Sequence, residues 1–340
     1  MDTITQAMLG ATIADVGFRQ DFGKKAMFVG AVCACLPDLD LFSGAWGPWG
    51  SMAHHRAETH SVLVLTFIAP LVAYFCHKKW QEGTLWRWTA LCWLALVTHP
   101  LLDAVTTYGT QLLAPLSRQR FAIDGVAVVD PFYSVILLAG VVYGYRVVDE
   151  KKLKTWVTKL TLALSTGYLI LGLFFSAFAE AQIEREITKR GISGVTQVRA
   201  TPTLLNILLW HVVVKEESGH YWLGQVSVLT PDRVFLKRYE TAQSPLVKAA
   251  MNSREGKIFT WFAQDMVSAR VNGRVVTLFD HRYGMPSSPL ITPFRAAFTF
   301  DEAGKLVKAE RLRGPRSKMD IVAEFKTLFR HIFYGPGEDM

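Results

Sequence analysis

Residues 54–61 read HHRAETHS, and the apolar run VLVLTFI, residues 62–68, follows without a break. Three histidines and an arginine therefore stand at the door of a membrane-like segment. Neutral imidazole is the commonest protein metal ligand, but a metal site needs donors from more than one part of the chain. The reading of the fold turns on whether the rest of the sequence brings such donors to the same place.

Half of the 340 residues are hydrophobic and only 19% are charged, which sets the chain toward the membrane class. The apolar residues gather in runs at 61–76, 86–102, 131–148 and 159–178, each near the ~20 residues that a bilayer helix needs. A shorter run, 26–36, pairs with 4–16 as a hairpin buried among the others. The expected fold is an α-helical polytopic membrane domain over residues 1–180, with about four spanning helices plus a short N-terminal hairpin. A helical extension and linker over 181–200 and a small α+β extracytoplasmic domain over 201–340 follow it. Met1-Asp2-Thr3 offers neither a basic n-region nor a cleavage site, so no removable signal peptide is expected. Cys33, Cys35, Cys76 and Cys92 all lie in apolar segments, and no cysteine follows them to staple the second half.

The formal charge of +8 does not point to nucleic acid, because lysine and arginine cluster beside the apolar runs. Arg19, Lys24 and Lys25 form one group, Lys78, Lys79 and Arg87 a second, and Arg146, Lys151, Lys152, Lys154 and Lys159 a third. Residues 43–60 carry only Arg56, and residues 104–130 only Arg118 and Arg120. The positive-inside rule then puts the first three groups in the cytoplasm and everything after residue 178 outside it. The same threading brings Asp38 and Asp40, the histidine cluster, His99 with Asp103, and Asp130 to one outer membrane face, although it used no histidine or aspartate.

His99 and Asp103 are four apart, so on a helix they project from one face, a spacing suited to two ligands of one ion. Asp38 and Asp40 are two apart after Pro37, in a turn that can point both carboxylates into one pocket. Within the cluster His55 shares a face with Thr59, and Arg56 shares another with His60, so not all can reach one metal; His60 and one of His54 or His55 are the expected ligands. A mixed His/Asp set suits Zn²⁺, Mn²⁺ or Fe²⁺ better than Ca²⁺, as one or two ions. Taken singly, each of these residues reads as a helix cap, an interfacial histidine or a partner for Arg56; their convergence favours the metal. Thr106 to Gln111 are rich in hydroxyls that suit either a substrate pocket or a self-satisfied loop, and Asp124 and Asp130 read as structural.

The ordered motifs MDTITQAMLGA (1–11), LPDLD (36–40), HHRAETHS, THPLLDAVTTYGTQLLAPLS (98–117) and DPFYS (130–134) resemble the YdjM-like family of inner-membrane metal-dependent hydrolases. The resemblance covers roughly residues 1–180 and continues weakly through TPTLLNILLW, residues 201–210. It implies a bacterial inner-membrane hydrolase distantly similar to zinc-dependent phospholipase C and P1-type nuclease, and so phosphoester chemistry. On it, Asp38, Asp40, His60, His99 and Asp103 carry the metal-site role with Arg56 and Thr59 beside them. Some relatives have histidine in place of Gln6, which bears on the number of ions held here. The working assignment is Asp38, Asp40, His55, His60, His99 and Asp103 to the metal, and Arg56, Thr59 and Asp103 to catalysis.

Beyond Gly191 the hydrophobic period changes. Residues 210–214 and 221–229 flank KEESGH, 270–271 and 275–279 flank NG, and 294–300 and 306–311 flank DEAG, three hairpin signatures. Helices are expected over 245–252 and 319–333, the second with an apolar face that reads as domain core rather than membrane binding. His211, His220, His281 and His331 lack ligand spacing and read as ordinary histidines. Without a nucleophile elbow or a phosphate-binding glycine loop here, chemistry belongs to the N-terminal half. The expected activity is metal-assisted hydrolysis of a phosphoester in a lipid or lipid-linked substrate, with the bilayer as an expected partner and an outer domain that covers the site or binds a partner. A membrane metalloprotease is the first alternative, though His-Glu-x-x-His is missing; a non-enzymatic metal-binding or transport protein is the second.

Overall fold

The computed structural model describes the whole chain except residues 43–45, 147–150, 313–319 and 338–340, and, for side chains, also 41, 42 and 151–155. The interval from Ser43, the expected end of a span at Val148 and the expected helix start at Met319 lie outside the described residues. The chain divides into two units, one of residues 1–45 and 54–173 and one of 46–53 and 174–340.

In the first unit, α1 (Thr3–Phe22) starts where the Asp2 carboxylate accepts the Thr5 N–H, and ends at Gly23, whose positive φ lets its N–H reach Arg19 O. The chain turns straight into α2 (Lys24–Cys35). The two helices cross at a pair of glycines: a Cβ on Gly10 would lie 2.3 Å from Gly30 O, and one on Gly30 would lie 2.4 Å from Gly10 O. Only hydrogen fits at either position, and Ala14 and Ala34 extend the small-residue contact. This crossing sets the end of α2 beside the start of α1. After a 3-10 turn, Leu36–Phe42, and α3 (Gly47–His54), most of which groups with the second unit, a second 3-10 turn, Glu58–His60, leads into α4 (Val62–Trp80). α5 (Leu85–Ala104), α6 (Pro131–Arg146) and the long α7 (Lys151–Arg190) complete the helices of this half. Phe18, Phe22, Val29, Leu65, Trp88, Leu91 and Leu96 form their core, with Phe22 stacked on Trp88 at 3.7 Å.

The expectation of four spanning helices is overturned. Among the described residues only α4 and residues 156–190 of α7 are long and apolar enough to cross a membrane. α4 buries a narrow stripe of Leu65, Ala69 and Ala73 while Phe67, Leu71 and Phe75 stand 63–80% exposed, the pattern of a helix whose outer face meets lipid. α5 is different: eleven of its 20 residues are buried, among them His99 and Asp103, so its apolar run is satisfied by protein. α6 has 16 residues and falls short on length. An apolar run reports burial, and from sequence alone burial in protein and in lipid look alike.

The second unit holds two four-stranded antiparallel sheets, each in sequential order. The first consists of β1 (Val195–Pro202), β2 (Leu209–Glu216), β3 (Tyr221–Ser227) and β4 (Thr230–Tyr239), the second of β5 (Val267–Asn272), β6 (Val275–Asp280), β7 (Arg295–Phe300) and β8 (Leu306–Leu312). The turn sequences KEESGH, NG and DEAG do join paired strands, with Val213 opposite Leu223, Val271 opposite Val276 and Phe298 opposite Ala309. Gly273 takes the positive φ that the NG turn needs. Between the sheets lie α8 (Pro245–Asn252), capped by Ser244, and α9 (Arg254–Phe262), and α10 (Ile321–Tyr334) follows the last strand. Strands β1 and β4 and helix α9 carry no turn signature of their own and were not foreseen.

Gly30→Ala is expected to lower the stability of the detergent-solubilised protein by about 1–3 kcal/mol through overpacking at the α1/α2 crossing. Gly17→Ala, in α1 with open space around it, should leave thermal unfolding unchanged or raised. Equal melting of both variants and the parent would remove the crossing as a constraint.

Candidate metal centre

Four short segments of the first unit deliver the polar residues. The 3-10 turn after α2 has Pro37 as its second residue and presents Asp38 and Asp40. The turn Glu58–His60 presents His60 immediately before Ser61, whose hydroxyl caps α4 and donates to Ala114 O at 2.5 Å. The last turn of α5 carries His99 and Asp103, one above the other, and the start of α1 supplies Thr3 and Gln6.

His99 Nε2 lies 3.1 Å from His60 Nε2, and Asp38 Oδ1 lies 3.5 Å from the first and 3.6 Å from the second. All three residues are buried. Their far sides settle which atoms carry hydrogen. His99 Nδ1 is 2.5 Å from Ala34 O, which can only accept, so Nδ1 carries a proton and in the neutral ring Nε2 is the lone pair. Thr59 Oγ1 gives its single proton to Asp40 Oδ2 at 2.9 Å and accepts from His60 Nδ1 at 3.0 Å, so His60 Nε2 is bare as well. With both rings neutral, two imidazole lone pairs and a carboxylate oxygen face one another with no donor among them, an arrangement that repels itself unless a proton or a metal ion lies between. The spacing matches three ligands of one tetrahedral ion, for which bonds near 2.0–2.1 Å give edges of about 3.3 Å. The Asp38–His60–His99 group therefore fits a metal.

The field around the trio suits this role. Burial pulls His60 down to about 4 against the opposing pull of Asp38, so it is neutral at pH 7. Burial alone would raise the Asp38 carboxyl, but His60, His99 and the Thr3 hydroxyl hold it well below the usual carboxylate range. Burial likewise works against a proton on His99, yet Asp103 and Asp38 raise it overall, so without a cation this ring draws a proton instead.

The other expected site residues surround the trio. Asp103 Oδ2 lies 3.4 Å from His60 Nε2 and 3.6 Å from His99 Nε2, and 3.1 Å from Arg56 Nε. Its Oδ1 accepts from Gln6 Nε2 at 3.2 Å and from the Met1 amino group. Gln6, fully buried, also bonds His99 O at 3.1 Å and so belongs to the site's frame. Asp40 sits on the far side of His60, its Oδ2 3.6 Å from Nδ1, and gathers the loop by accepting from His55 Nδ1, Arg56 N and the Thr59 hydroxyl. His55 contacts Asp40 and the Tyr108 ring and is not drawn into the trio. Arg56 is 4% exposed, with φ +60, and its guanidinium lies 4.7 Å above Tyr108 and donates to Thr106 Oγ1. Tyr108 belongs to the hydroxyl-rich stretch 106–111, whereas Thr3 and the Ala34 carbonyl carry no signal in the sequence: a backbone acceptor has none, and Thr3 is one hydroxyl among many.

Residues 1–182 match the family model described as YdjM inner membrane protein. The chain belongs to that family. It is 35% identical over 146 residues to Inner membrane protein YbcI of Escherichia coli K12, a match covering 41% of this chain and 80% of YbcI. It is 24% identical over 232 residues to the uncharacterized protein YfhP of Bacillus subtilis 168, covering 65% of this chain and 67% of that one. No solved structure gives a significant match. Like its YdjM relatives, the protein resides in the inner membrane.

His60→Ala, His99→Ala and Asp38→Ala should each abolish stoichiometric metal in the purified protein, and any pair should add nothing further, since one deletion disables the site. Asp40→Asn should weaken binding by about 10–100-fold by loosening the His60 ring. Metal and proton compete for the same lone pairs, and because Asp103 and Asp38 raise the His99 pKa, affinity should begin to fall with decreasing pH already above the ordinary histidine range. Metal content by mass spectrometry across these variants, with a pH titration of the parent, checks all three; undiminished metal in the His60 and His99 variants would dismiss the centre.

Proposed function

We propose that this YdjM-family protein is a metal-dependent hydrolase that cleaves a phosphoester of a lipid or lipid-linked substrate at the outer face of the inner membrane. The observation that carries the reading is the donor-free Asp38–His60–His99 trio with a buried guanidinium beside it. Three protein ligands of His/Asp type suit zinc, with Mn²⁺ or Fe²⁺ as substitutes, and leave room for a further ligand. Such an ion, when bound, supplies Lewis acidity toward a phosphoryl oxygen and makes water acidic enough to attack at neutral pH.

The protein's own groups cover the remaining needs. Arg56, held over Tyr108 and paired with Asp103, stands where an anionic substrate oxygen would meet it, and a planar guanidinium takes such an oxygen with two parallel hydrogens. Asp103, relieved of part of its pairing when Arg56 turns to substrate, is the group within reach to accept a proton. Asp40 acts at one remove: through Thr59 it keeps His60 in the tautomer that exposes Nε2. Burial of these groups keeps bulk water from screening their charges.

Two features support a lipidic substrate and an outer location. His60 precedes α4 by one residue, so the trio lies at the end of a helix whose Phe67, Leu71 and Phe75 face outward. The opposite end of α4 carries His77, Lys78 and Lys79, the positive end that favours the cytoplasm. By the same rule the lysines at the start of α7 support an outer location for its far end and the region after it.

Arg56→Ala should keep its metal yet lose about 2–4 kcal/mol of transition-state stabilisation, with Arg56→Lys recovering a part. Turnover of a phosphoester panel alongside metal content in one preparation reads this, and full activity in the alanine variant would exclude the role. For the orientation, a cysteine introduced at Glu217 should react with an impermeant maleimide added to intact spheroplasts; labelling only after lysis would reverse the topology.

A further inference from the structure

The apolar face of α10, expected to be domain core, is buried at Leu328 and Ile332 and exposed along the rest of its width. The helix meets its unit through a narrow edge. Leu328 and Ile332 pack with Leu208 and Leu209, His331 Nδ1 lies 3.0 Å from Gln225 Oε1, and the Ser227 hydroxyl donates to Ile332 O at 2.6 Å. These contacts hold the helix rigidly with a second, wider arc turned away. Ile321, Val322, Phe325, Phe329 and Phe333 occupy one side of the helical wheel and are 42–62% exposed. The Phe329 and Phe333 rings lie parallel, 4° apart in plane, as one aromatic ledge.

Charge is distributed unevenly around this ledge. Lys326 and Arg330 follow the apolar arc directly on the wheel, both exposed, and Arg233 joins them at the end of the helix by donating to Tyr334 O at 2.6 Å. The acidic Glu324 is turned to the other side, where Ser287 binds it through both its backbone N–H and its hydroxyl. A helix with exposed aromatic and branched residues and basic side chains along one border has the make-up of a helix that lies in a bilayer interface. The chain supplies the proximity itself, because α7 leads from a candidate membrane span into this unit.

We propose that α10 docks flat on an anionic lipid surface, the Ile321–Phe333 arc entering the boundary between headgroups and acyl chains while Lys326, Arg330 and Arg233 meet lipid phosphates. The lipid is recognised by its chemistry, an apolar layer beneath a negative surface, and the contact is independent of the metal centre.

The test uses the full chain with its four cysteines replaced by alanine, shown to melt like the parent, and reconstituted in vesicles of phosphatidylethanolamine and phosphatidylglycerol. An environment-sensitive fluorophore on Phe329→Cys, and separately on Val322→Cys, should be quenched about twofold or more by brominated acyl chains, while the same probe on Glu217→Cys should not. Adding Lys326→Glu and Arg330→Glu should remove at least about half of that quenching. Quenching at 329 and 322 no greater than at 217 would overturn the proposal, as would charge reversal without effect. Efficient cross-linking between two copies through residue 329 would overturn it as well, by showing a second chain where lipid should be.

Discussion

The buried polar residues around Asp38, His60 and His99 answer to one electrostatic constraint: two imidazole nitrogens 3.1 Å apart with a carboxylate oxygen beside them. Such a cluster is stable only around a positive charge, a proton or a metal ion, and the outward hydrogen bonds of both rings leave their Nε2 atoms turned to it. Ala34 O and Thr59 Oγ1 each hold a hydrogen on the outward side of a ring, and Thr59 can do so only because Asp40 takes its own proton. The site is thus a chain of donors pointing outward from a centre made of acceptors.

Position follows from packing of the smallest residues. The Gly10–Gly30 crossing lets the backbones of α1 and α2 touch, and that contact brings Ala34, the Pro37 turn, Thr3 and Gln6 to the last turn of α5. Arg56 is held in the left-handed region by bonds at both ends of its peptide, N–H to Asp40 Oδ2 and carbonyl from Gln111 N–H. A non-glycine residue in that region is strained, and here the strain turns a guanidinium inward to Asp103 while the histidines on either side face other ways.

Three helices show how one kind of sequence meets three environments. α4 and α5 are similar in length and both rich in leucine and aromatic residues, yet α4 has three buried residues and α5 eleven. α10 carries a large apolar face and spends only its edge on the sheet. Apolar character sets the wish to leave water; the neighbours decide whether protein or lipid receives the side chain.

The residue types and order along the chain already determined a good deal. The i to i+4 pair His99–Asp103, the proline-led Asp38–Asp40 turn and the histidines before an apolar run are local facts, and helix and turn geometry carries them into any fold. The hairpins around KEESGH, NG and DEAG are local in the same sense, since turn chemistry fixes their register. Which histidine faces Asp38 and which faces Asp40 was a tertiary decision, because His55 and His60 are alike in type and differ only in what packs across from them. The same holds for Ala34 O, a backbone atom every residue possesses, and for the fate of each apolar helix. Sequence specifies the donors and the period of each element; only close packing of segments far apart in the chain specifies which atoms meet.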